Sequence, residues 1–497
     1  MDQAAPISRR PDWPLWLLLI GLAAYSVLLW RHTLVQPGGS DTSGYFNTAR
    51  LFAQGKLSAP MRPVDGLPPA ELPKYAYAPL GFQPDLAQAR LTPSYPIGLS
   101  LFFFAFAKLF GAGLGPNLVL IMHTLAGVAL LYALTRSMGG SGWAALLGTI
   151  MLALSPLYLQ FAVQAMSDLP ATVWVLAAVW LAWRNPAAHW SVLGAGFAVG
   201  VAVLVRPTNL LGILPVLLAL GRPGRRWLWL ALGGLPCAVL LAWFNRAAYG
   251  SALTSGYGDV STLFSLRWVQ GTLLHYAKWL PVVATPVAVL ALGLPWLARP
   301  ARRAALVLGV WLTTYLGFYA FYFHTHEYWW ALRFVMPALP PLIIAAVLVA
   351  ERLLSSWAAP RRRHAAWVTL FLLAWTGNRY WDRKWDVVSG GAWENTYPKT
   401  MRWMQAHVPP EAVVLTMQTS GSFFYYTDFR LLRWDMLEDR WSQIHDTLRD
   451  RKFPVYGVFF DFEEKRAIEQ QTPGRWVKVT QIQQVGIWRL DLEATSP

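Results

Sequence analysis

The residues of this sequence that could carry chemistry begin with Asp41, in the stretch GGSDTSGYFNTARLFAQGK at residues 38–56. This stretch follows directly on the first long apolar run, residues 13–30, and its apolar residues from Tyr45 onward recur at helical spacing. Asp41 therefore lies at the start of a helix just above a lipid surface. Two interpretations follow. Asp41 caps the helix, or it is a general base that faces a membrane-borne substrate.

Asp168 is the second acid, in the sequence Met166-Ser167-Asp168-Leu169-Pro170. It too could be a helix cap, with a proline just beyond it. By the topology derived below, Asp41 and Asp168 each follow an outward-going apolar run, so both lie at the same membrane face. Ionisable groups near lipid are costly and usually functional. Two acids at one depth therefore favour the chemical interpretation over the capping one.

Arg206, between two apolar runs with almost no loop, and Arg333, just before another run, are the candidate cations. Arg206 either extends to the lipid headgroups or holds a lipid phosphate, for which the planar guanidinium is suited. Arg333 is a second phosphate candidate. The segment His324-Thr325-His326-Glu327 is a further cluster that is either cationic or able to bind a metal, although it is not a zinc-protease signature.

The composition indicates a membrane protein. Of 497 residues, 55% are hydrophobic and 14% are charged, and the mean hydropathy is +0.35, whereas soluble domains are about a quarter charged. The net charge of +16 comes mainly from arginines in short loops between apolar runs, which orient helices. This placement disfavours nucleic-acid binding. The single cysteine, Cys237, excludes a disulfide framework and a metal-thiolate site.

The apolar runs predict about eleven spans. With Arg9 and Arg10 cytoplasmic, the first run is a retained span that leads to a long outside loop at residues 31–94. A short run near residues 96–111 is expected to be a re-entrant or interfacial helix, because a crossing there would place the later arginine clusters outside. The ten remaining spans are expected near residues 116–135, 143–159, 170–183, 191–205, 210–220, 227–244, 280–297, 304–323, 334–349 and 365–376.

The chain divides into two predicted domains. Residues 1–378 form the membrane module, and residues 379–497 form a soluble α/β domain outside the cytoplasm. Within the second domain, helices are expected at 397–407, 439–449 and 463–470, and strands at 412–417, 454–460, 476–481 and 486–490. The domain has no glycine-rich phosphate fingerprint, so no nucleotide site is predicted.

Five motifs, taken in order, carry a family resemblance. They are Ser40-Asp41 with Tyr45 and Ala49, the Pro-x-x-Pro-x-Gly run at residues 93–98, Ser155-Pro156 with Ser167-Asp168-x-Pro170, Arg206-Pro207-Thr208-Asn209-Leu210, and Arg333-x-x-x-Pro337. Across residues 10–350 the sequence resembles the GT-C class of integral-membrane glycosyltransferases. It is most similar to the bacterial branch related to protein O-mannosyltransferases and the lipid A aminoarabinose transferase. Protein mannosyltransferases carry Asp-Glu in the first loop, whereas Thr42 follows Asp41 here, so a protein acceptor is not implied.

The resemblance implies a polytopic α-helical GT-C fold in the inner (plasma) membrane and an inverting sugar transfer from a polyprenyl-phosphate donor. Asp41 would be the general base and Asp168 would support it. The implied substrate-binding residues are Tyr45, Tyr95, Arg206, His324, His326 and Arg333. The acceptor would be a glycan, a lipid or a protein. The resemblance implies no certain cofactor, although some relatives place a divalent metal near the second acid.

Two other classes of protein remain open from the sequence. A transporter or lipid flippase also has many spans and intramembrane charge, but transporters often contain internal repeats, and none is evident here. A structural membrane protein that binds partners through its C-terminal domain is the third possibility. Asp41→Asn separates these classes, because a scaffold would tolerate that change.

Overall fold

The computed structural model describes residues 12–297 and 301–493. Arg9, Arg10 and Arg299, three of the arginines that orient the predicted spans, lie outside these residues. The membrane part is built from long apolar helices, which satisfy their backbone polar groups internally, as lipid requires. Its helices are α1 Trp13–His32, α2 Ser40–Ala53, α3 Ile97–Phe110, α4 Gly115–Ser137, α5 Gly142–Ala153, α6 Pro156–Ala162, α7 Asp168–Arg184, α8 His189–Val205, α9 Ile213–Leu220, α10 Arg225–Tyr249, α11 Val269–Val283, α12 Arg302–Ala320, α13 Leu339–Ser355 and α14 Pro360–Trp385.

A helix or a short 3-10 segment coincides with every predicted span. Within the described ranges, five helices are long and apolar enough to cross a membrane, or up to seven if each bent pair is one span. The protein is therefore a multi-pass membrane protein, as predicted, while the total of eleven spans stays a prediction. Helix α3 has 14 residues and is about 21 Å long, too short for a core of about 30 Å. This length agrees with the predicted re-entrant or interfacial helix.

Two predicted spans are broken in the structure. Residues 143–159 were expected to form a single span, but α5 ends at Ala153 and α6, Pro156–Ala162, leaves it at 61°. Residues 280–297 were expected to form a single span, but α11 ends at Val283 and a 3-10 segment, Pro286–Trp296, leaves it at 113°. The bend lies at Thr285, whose φ is +67°. Proline at position 286 excludes the helical conformation for the residue before it. The prediction was wrong because it followed the unbroken hydrophobicity and ignored the proline.

The long loop after α1 is folded. Helix α2 opens it, as the spacing after Asp41 predicts, and a small antiparallel sheet follows. Its strands are β1 Ala59–Pro60, β2 Phe82–Asp85 and β3 Arg90–Pro93, in the order β1-β3-β2.

The C-terminal part is an α/β unit, as predicted. Its elements are α15 Gly390–Trp393, α16 Thr396–His407, β4 Val413–Leu415, α17 Ser420–Tyr426, β5 Arg430–Leu432, α18 Trp441–Asp450, β6 Val455–Phe460, α19 Asp461–Lys465, β7 Arg475–Ile482 and β8 Val485–Asp491. The five strands form one sheet in the order β5-β4-β6-β8-β7, with β4 parallel to β5 and β6, and β8 antiparallel to β6 and β7. The four predicted strands are present, whereas the three-residue β5 and helix α17 were missed.

The loop after α1 and the C-terminal unit share one hydrophobic core. Buried side chains from the loop, such as Met61, Tyr77 and Phe82, pack in the same cluster as Val414 and Phe459 of the C-terminal sheet. A separate and larger core lies among the membrane helices. The predicted boundary at residue 379 falls within α14, which ends at Trp385. The folded unit above the membrane is therefore assembled from two distant stretches of the chain.

Candidate functional site

Two acids and two arginines form a cluster at one edge of the membrane helices. Arg206 makes an ion pair with Asp168, and Arg333 Nη1 lies 2.9 Å from Asp41 Oδ2. Arg333 Nη1 also lies 3.8 Å from Asp168 Oδ2, so the two pairs are linked. The structure thus brings together all four charged residues that the sequence singles out, although they are up to 292 positions apart along the chain.

Helices α7 and α8 bring Asp168 and Arg206 together. Asp168 is the first residue of α7 and Arg206 directly follows α8, which packs antiparallel against α7 after a short turn. The start of one helix and the end of the other therefore meet. The Asp168 side chain makes no capping hydrogen bond to its helix and is 1% exposed, and the Arg206 side chain is 15% exposed. Burial in an ion pair, rather than capping or extension to the headgroups, accounts for both side chains.

Asp41 lies in the first turn of α2, where Gly39, not Asp41, is the N-cap residue. Its carboxylate pairs with Arg333 and accepts a hydrogen bond from Tyr95, so its position and contacts contradict the capping interpretation. Burial by itself raises the pKa of this carboxyl group. The charge of Arg333 and a hydrogen bond from Tyr95 outweigh burial, so the pKa of Asp41 lies below its ordinary value. Asp41 is thus held as a carboxylate.

Arg333 lies in a 3-10 segment, Trp329–Ala338, that leads into α13. The guanidinium groups of Arg333 and Arg206 lie 5.0 and 5.1 Å from the centre of the Phe334 ring, within range of cation–π attraction. Within the described residues, the buried Nε of Arg333 has no hydrogen-bond acceptor. A buried donor of this kind is costly to leave unpaired, so this N–H group could donate to an anionic group bound beside it.

Asp41, Arg206 and Arg333 line a cavity of about 540 Å³, and Asp168 lies buried behind Arg206. Tyr45 and Tyr95 form one wall, with ring centres 5.3 Å apart. The Tyr45 hydroxyl donates a 2.9 Å hydrogen bond to Ser167 Oγ, and the Tyr95 hydroxyl shares one of 2.7 Å with Ser40 Oγ. Both predicted tyrosines therefore stand beside the residues that flank the two acids.

The structure explains why the last residue of the Pro-x-x-Pro-x-Gly run, Gly98, is a glycine. A Cβ atom at this position would lie 2.5 Å from the backbone of Leu204 and Val205. Glycine therefore lets the start of α3 pack closely against the end of α8, immediately before Arg206. This close approach fixes the backbone from which Arg206 extends.

The two histidines of the predicted cluster separate in the structure. His324 lines the cavity, and its Nδ1 lies 3.0 Å from Glu327 Oε2. The His326 ring instead packs against Trp268, with ring centres 5.5 Å apart, and does not line the cavity. Across residues 12–297 and 301–493, no group of three or more His, Cys, Asp or Glu side chains could hold a metal ion. The residues present therefore do not fit a resident divalent metal.

Sequence reasoning missed several aromatic residues of the cavity. Tyr257, Tyr319, Tyr322 and Phe334 line it, and the Tyr319 hydroxyl donates a 2.7 Å hydrogen bond to Thr208 Oγ1, two residues after Arg206. The signal was the dense run of aromatic residues from 315 to 334. Tyr257 comes from the connection between α10 and α11 and had no comparable signal.

The helix order, the folded first loop and the paired charges above the membrane define a fold of the GT-C type, as the sequence resemblance predicted. Comparison with known proteins agrees. The sequence model of the family described as dolichyl-phosphate-mannose-protein mannosyltransferase matches residues 94–245. That stretch contains Tyr95, Asp168 and Arg206. No match is found among curated protein sequences.

Solved structures of three other proteins share the fold. ArnT from Cupriavidus metallidurans, bound to undecaprenyl phosphate, is 14% identical, with 96% of this chain and 98% of that chain covered and a TM-score of 0.61. The arabinofuranosyltransferase AftD from Mycobacteria is 15% identical over 95% of this chain and 40% of that chain, with a TM-score of 0.57. The oligosaccharyltransferase of Archaeoglobus fulgidus is 12% identical over 92% and 70%, also with a TM-score of 0.57. At these identities the likeness establishes the fold.

Proposed function

We propose that the protein is a membrane glycosyltransferase that moves a sugar from a polyprenyl-phosphate donor to an acceptor hydroxyl, with inversion at the anomeric carbon. One observation carries the proposal: two linked Asp–Arg pairs place Asp41, Arg333 and Arg206 in the wall of a single cavity, with the buried Asp168 holding Arg206 from behind. The fold shared with ArnT, which has been solved with undecaprenyl phosphate, supports the donor class. The family match and the AftD and oligosaccharyltransferase structures support the reaction class.

In the proposed reaction, Asp41 accepts the proton of the acceptor hydroxyl as its oxygen bonds to the anomeric carbon. The bond between that carbon and the phosphate oxygen breaks, and its electron pair leaves with the polyprenyl phosphate. Negative charge then grows on the phosphate, so fixed cations accelerate the step. Arg333 and Arg206 are the cations at hand. Each guanidinium carries five N–H donors, only some of which the acids occupy.

The resting ion pairs have a consequence for this chemistry. Arg333 holds Asp41 as a carboxylate, which also makes it a weak base. When a donor phosphate binds, it competes with Asp41 for Arg333. The carboxylate then loses part of its stabilisation, and its affinity for a proton rises. Donor binding would therefore activate the base, and Asp168, paired with Arg206, would keep the second cation in place.

The remaining residues have supporting roles in this proposal. Tyr45, Tyr95 and His324 would contact the sugar or the phosphate, since they line the cavity. His326 would act only through the packing of its segment, because it lies outside the lining. No step is assigned to a divalent metal, since the described side chains offer no ligand set for one. The acceptor, whether glycan, lipid or protein, would approach Asp41 from the open side of the cavity.

We also propose the cell inner membrane as the location, with the N-terminus cytoplasmic and the C-terminal domain on the opposite side. The distribution of arginines in the short loops supports this orientation. The transporter or flippase alternative receives no support from the comparisons, because the family and two of the three named relatives are described as transferases.

The test is a transfer assay with the purified full-length protein and a panel of polyprenyl-phosphate sugars. The release of polyprenyl phosphate is measured in the presence of glycan, lipid and peptide acceptors. Asp41→Asn keeps the size of the side chain and removes the base, and we expect it to lower the rate by at least about a hundredfold. Asp85→Asn, in the surface hairpin β2–β3, is the matched control.

Two results would count against the proposal. Activity in the wild type that survives Asp41→Asn would remove Asp41 as the base. Failure to bind any polyprenyl phosphate, measured by native mass spectrometry, together with no release from any donor, would remove the transferase function itself.

A further inference from the structure

A second cavity lies among the membrane helices, away from the four charged residues. It has a volume of about 530 Å³ and is lined by α1, α4, α5 and α14. Its walls are apolar, with Leu18, Gly21, Trp143, Phe371 and Trp375 among the lining residues. From Trp143 to Ala153, helix α5 rises about 15 Å, half of a bilayer core of about 30 Å. The cavity therefore has the depth of one membrane leaflet, which suits an acyl chain.

A basic surface adjoins this cavity. Trp375 lines both the cavity and a neighbouring recess of about 660 Å³, whose other residues include Arg379, Arg383 and Lys384. Phe371, Trp375, Arg379 and Arg383 follow one another at intervals of four, so they share one face of α14. An apolar stripe thus passes directly into a cationic one along a single helix.

The cations of this surface are available. Within residues 12–297 and 301–493, none of Arg379, Arg383 and Lys384 makes an ion pair with an acid. Lys384 instead lies over the rings of Tyr380 and Trp381. In the apolar wall, the Tyr25 hydroxyl is buried and has no partner in the described part of the chain. The buried Asp382 lies beside these groups and interacts electrostatically with Arg379 and Tyr25. The site therefore combines an apolar slot, a hydroxyl without a hydrogen-bond partner and an excess of positive charge.

We propose that α1, α5 and α14 form a binding site for an anionic diacyl phospholipid, with its phosphate on Arg379 and Arg383 and an acyl chain in the apolar cavity. The charge of the three cations selects an anionic headgroup over a zwitterionic one. The depth of one leaflet suits an acyl chain better than a long polyprenyl chain. None of the residues named here lines the candidate active site, so the proposal does not depend on the proposed function.

Native mass spectrometry of the purified full-length protein tests this site. Phosphatidylglycerol, phosphatidylcholine and a polyprenyl phosphate are titrated in parallel. We expect phosphatidylglycerol to bind best at this site. The double variant Arg379→Gln/Arg383→Gln should weaken its binding on the order of tenfold, because each basic residue near a membrane surface contributes measurably to the attraction of anionic lipid. Lys399→Gln/Arg402→Gln, which removes two exposed positive charges from α16 of the C-terminal unit, is the matched control and should bind as the wild type does.

A second pair of variants tests the apolar cavity. A Cβ atom at Gly21 would have no neighbour within 4 Å, so Gly21→Leu places its side chain in the cavity without a clash. It should lower phosphatidylglycerol binding, whereas Gly317→Leu, at another open position on a membrane helix, should not. Thermal unfolding verifies that each variant is folded. Equal binding of phosphatidylcholine, equal losses in variants and controls, or tighter arginine-dependent binding of the polyprenyl phosphate would each overturn the proposal.

Discussion

Replacing Arg333 with glutamine should move the pH dependence of sugar transfer to higher pH. Arg333 Nη1 lies 2.9 Å from Asp41 Oδ2, and the side chains are 16% and 25% exposed. Two unit charges about 4 Å apart attract by about 4 kcal/mol at an effective dielectric constant near 20. Both side chains keep some contact with solvent and Arg206 remains, so only part of this attraction is lost, and we expect the pKa of Asp41 to rise.

The direction of the shift follows from the proposed role of Asp41 as a base. In the wild type, Arg333 outweighs burial and keeps the pKa of Asp41 below its ordinary value. The base is then ionised throughout the neutral range, and activity falls only when the pH drops through that low pKa. Without Arg333, burial dominates and raises the pKa. Loss of activity then begins at a higher pH than in the wild type.

The assay is kcat/KM for polyprenyl-phosphate release between pH 4 and pH 8. The plateau should also fall by about a hundredfold, since a cation near the leaving phosphate is lost. The position of the acid limb is independent of that fall. Arg90→Gln is the control, because it removes another Arg–Asp pair, of 3.3 Å, outside the cavity. An acid limb at the same pH in Arg333→Gln and wild type would refute the coupling of Arg333 to a catalytic Asp41.

Three further predictions concern stability. Asp168→Asn leaves the buried Arg206 without its acid and should destabilise the protein by about 3–5 kcal/mol. The double variant Asp168→Asn/Arg206→Gln should recover much of that loss. A double variant no more stable than the single one in thermal unfolding would contradict this expectation. Gly421→Ala should lower stability by about 1–3 kcal/mol, because its Cβ would lie 2.8 Å from the Leu80 carbonyl oxygen, whereas Gly317→Ala, in open space, should have little effect on the melting temperature. Burial, opposed by a hydrogen bond with Thr42 and reinforced by Asp41, raises the pKa of Glu394 to about 8. The stability that the protonated form provides is therefore complete below the ordinary pKa of about 4.3 and is lost as the pH rises through about 8. Relative to Glu394→Gln, the melting temperature of the wild type should fall between pH 5 and pH 9, and parallel curves would contradict the shift.

Local sequence predicted the positions of the site residues but not their pairing. The two glycines before Asp41 and the helical spacing after it correctly placed the acid in the first turn of α2. The order of the apolar runs placed Asp168 at the same membrane face. The pairing of Arg206 with Asp168 and of Arg333 with Asp41 depends on how distant helices pack. No local pattern records that packing, so Arg206 was interpreted as extending to the headgroups or holding a phosphate, and Arg333 as a phosphate ligand.

The sequence also carried one signal that hydrophobicity concealed. Residues 280–297 read as one apolar run, yet Pro286 and the preceding Thr285 mark the 113° turn. The three-residue strand β5 gave the opposite difficulty, because a segment that short has too few residues for an alternating pattern. In the first case hydrophobicity concealed a bend at a proline, and in the second the segment was too short to produce a pattern.

The contacts of α17 connect the C-terminal domain to the helix that carries Asp41. The hydroxyl of Ser422 directs its one hydrogen to the adjacent carbonyl oxygens of Pro37 and Gly38, just before that helix. From that helix, Asn47 Nδ2 donates a 2.9 Å hydrogen bond to the Gly421 carbonyl oxygen, and Arg50 Nη1 donates one of 2.6 Å to that of Tyr425.

The C-terminal domain therefore contacts α2 at two places, just before its first residue and about two to three turns later at Asn47 and Arg50. A general base, the role proposed for Asp41, must keep its geometry to within a fraction of an ångström. One face of α2 packs on α3, where the ring centres of Phe46 and Phe103 are 5.0 Å apart, and α17 of the C-terminal domain fixes the same helix by hydrogen bonds. Removal of that domain should therefore lower transfer even with an acceptor that makes no contact with it. Transfer that persists when Asn47→Ala and Ser422→Ala are combined, with normal folding, would show that α2 is fixed by other means.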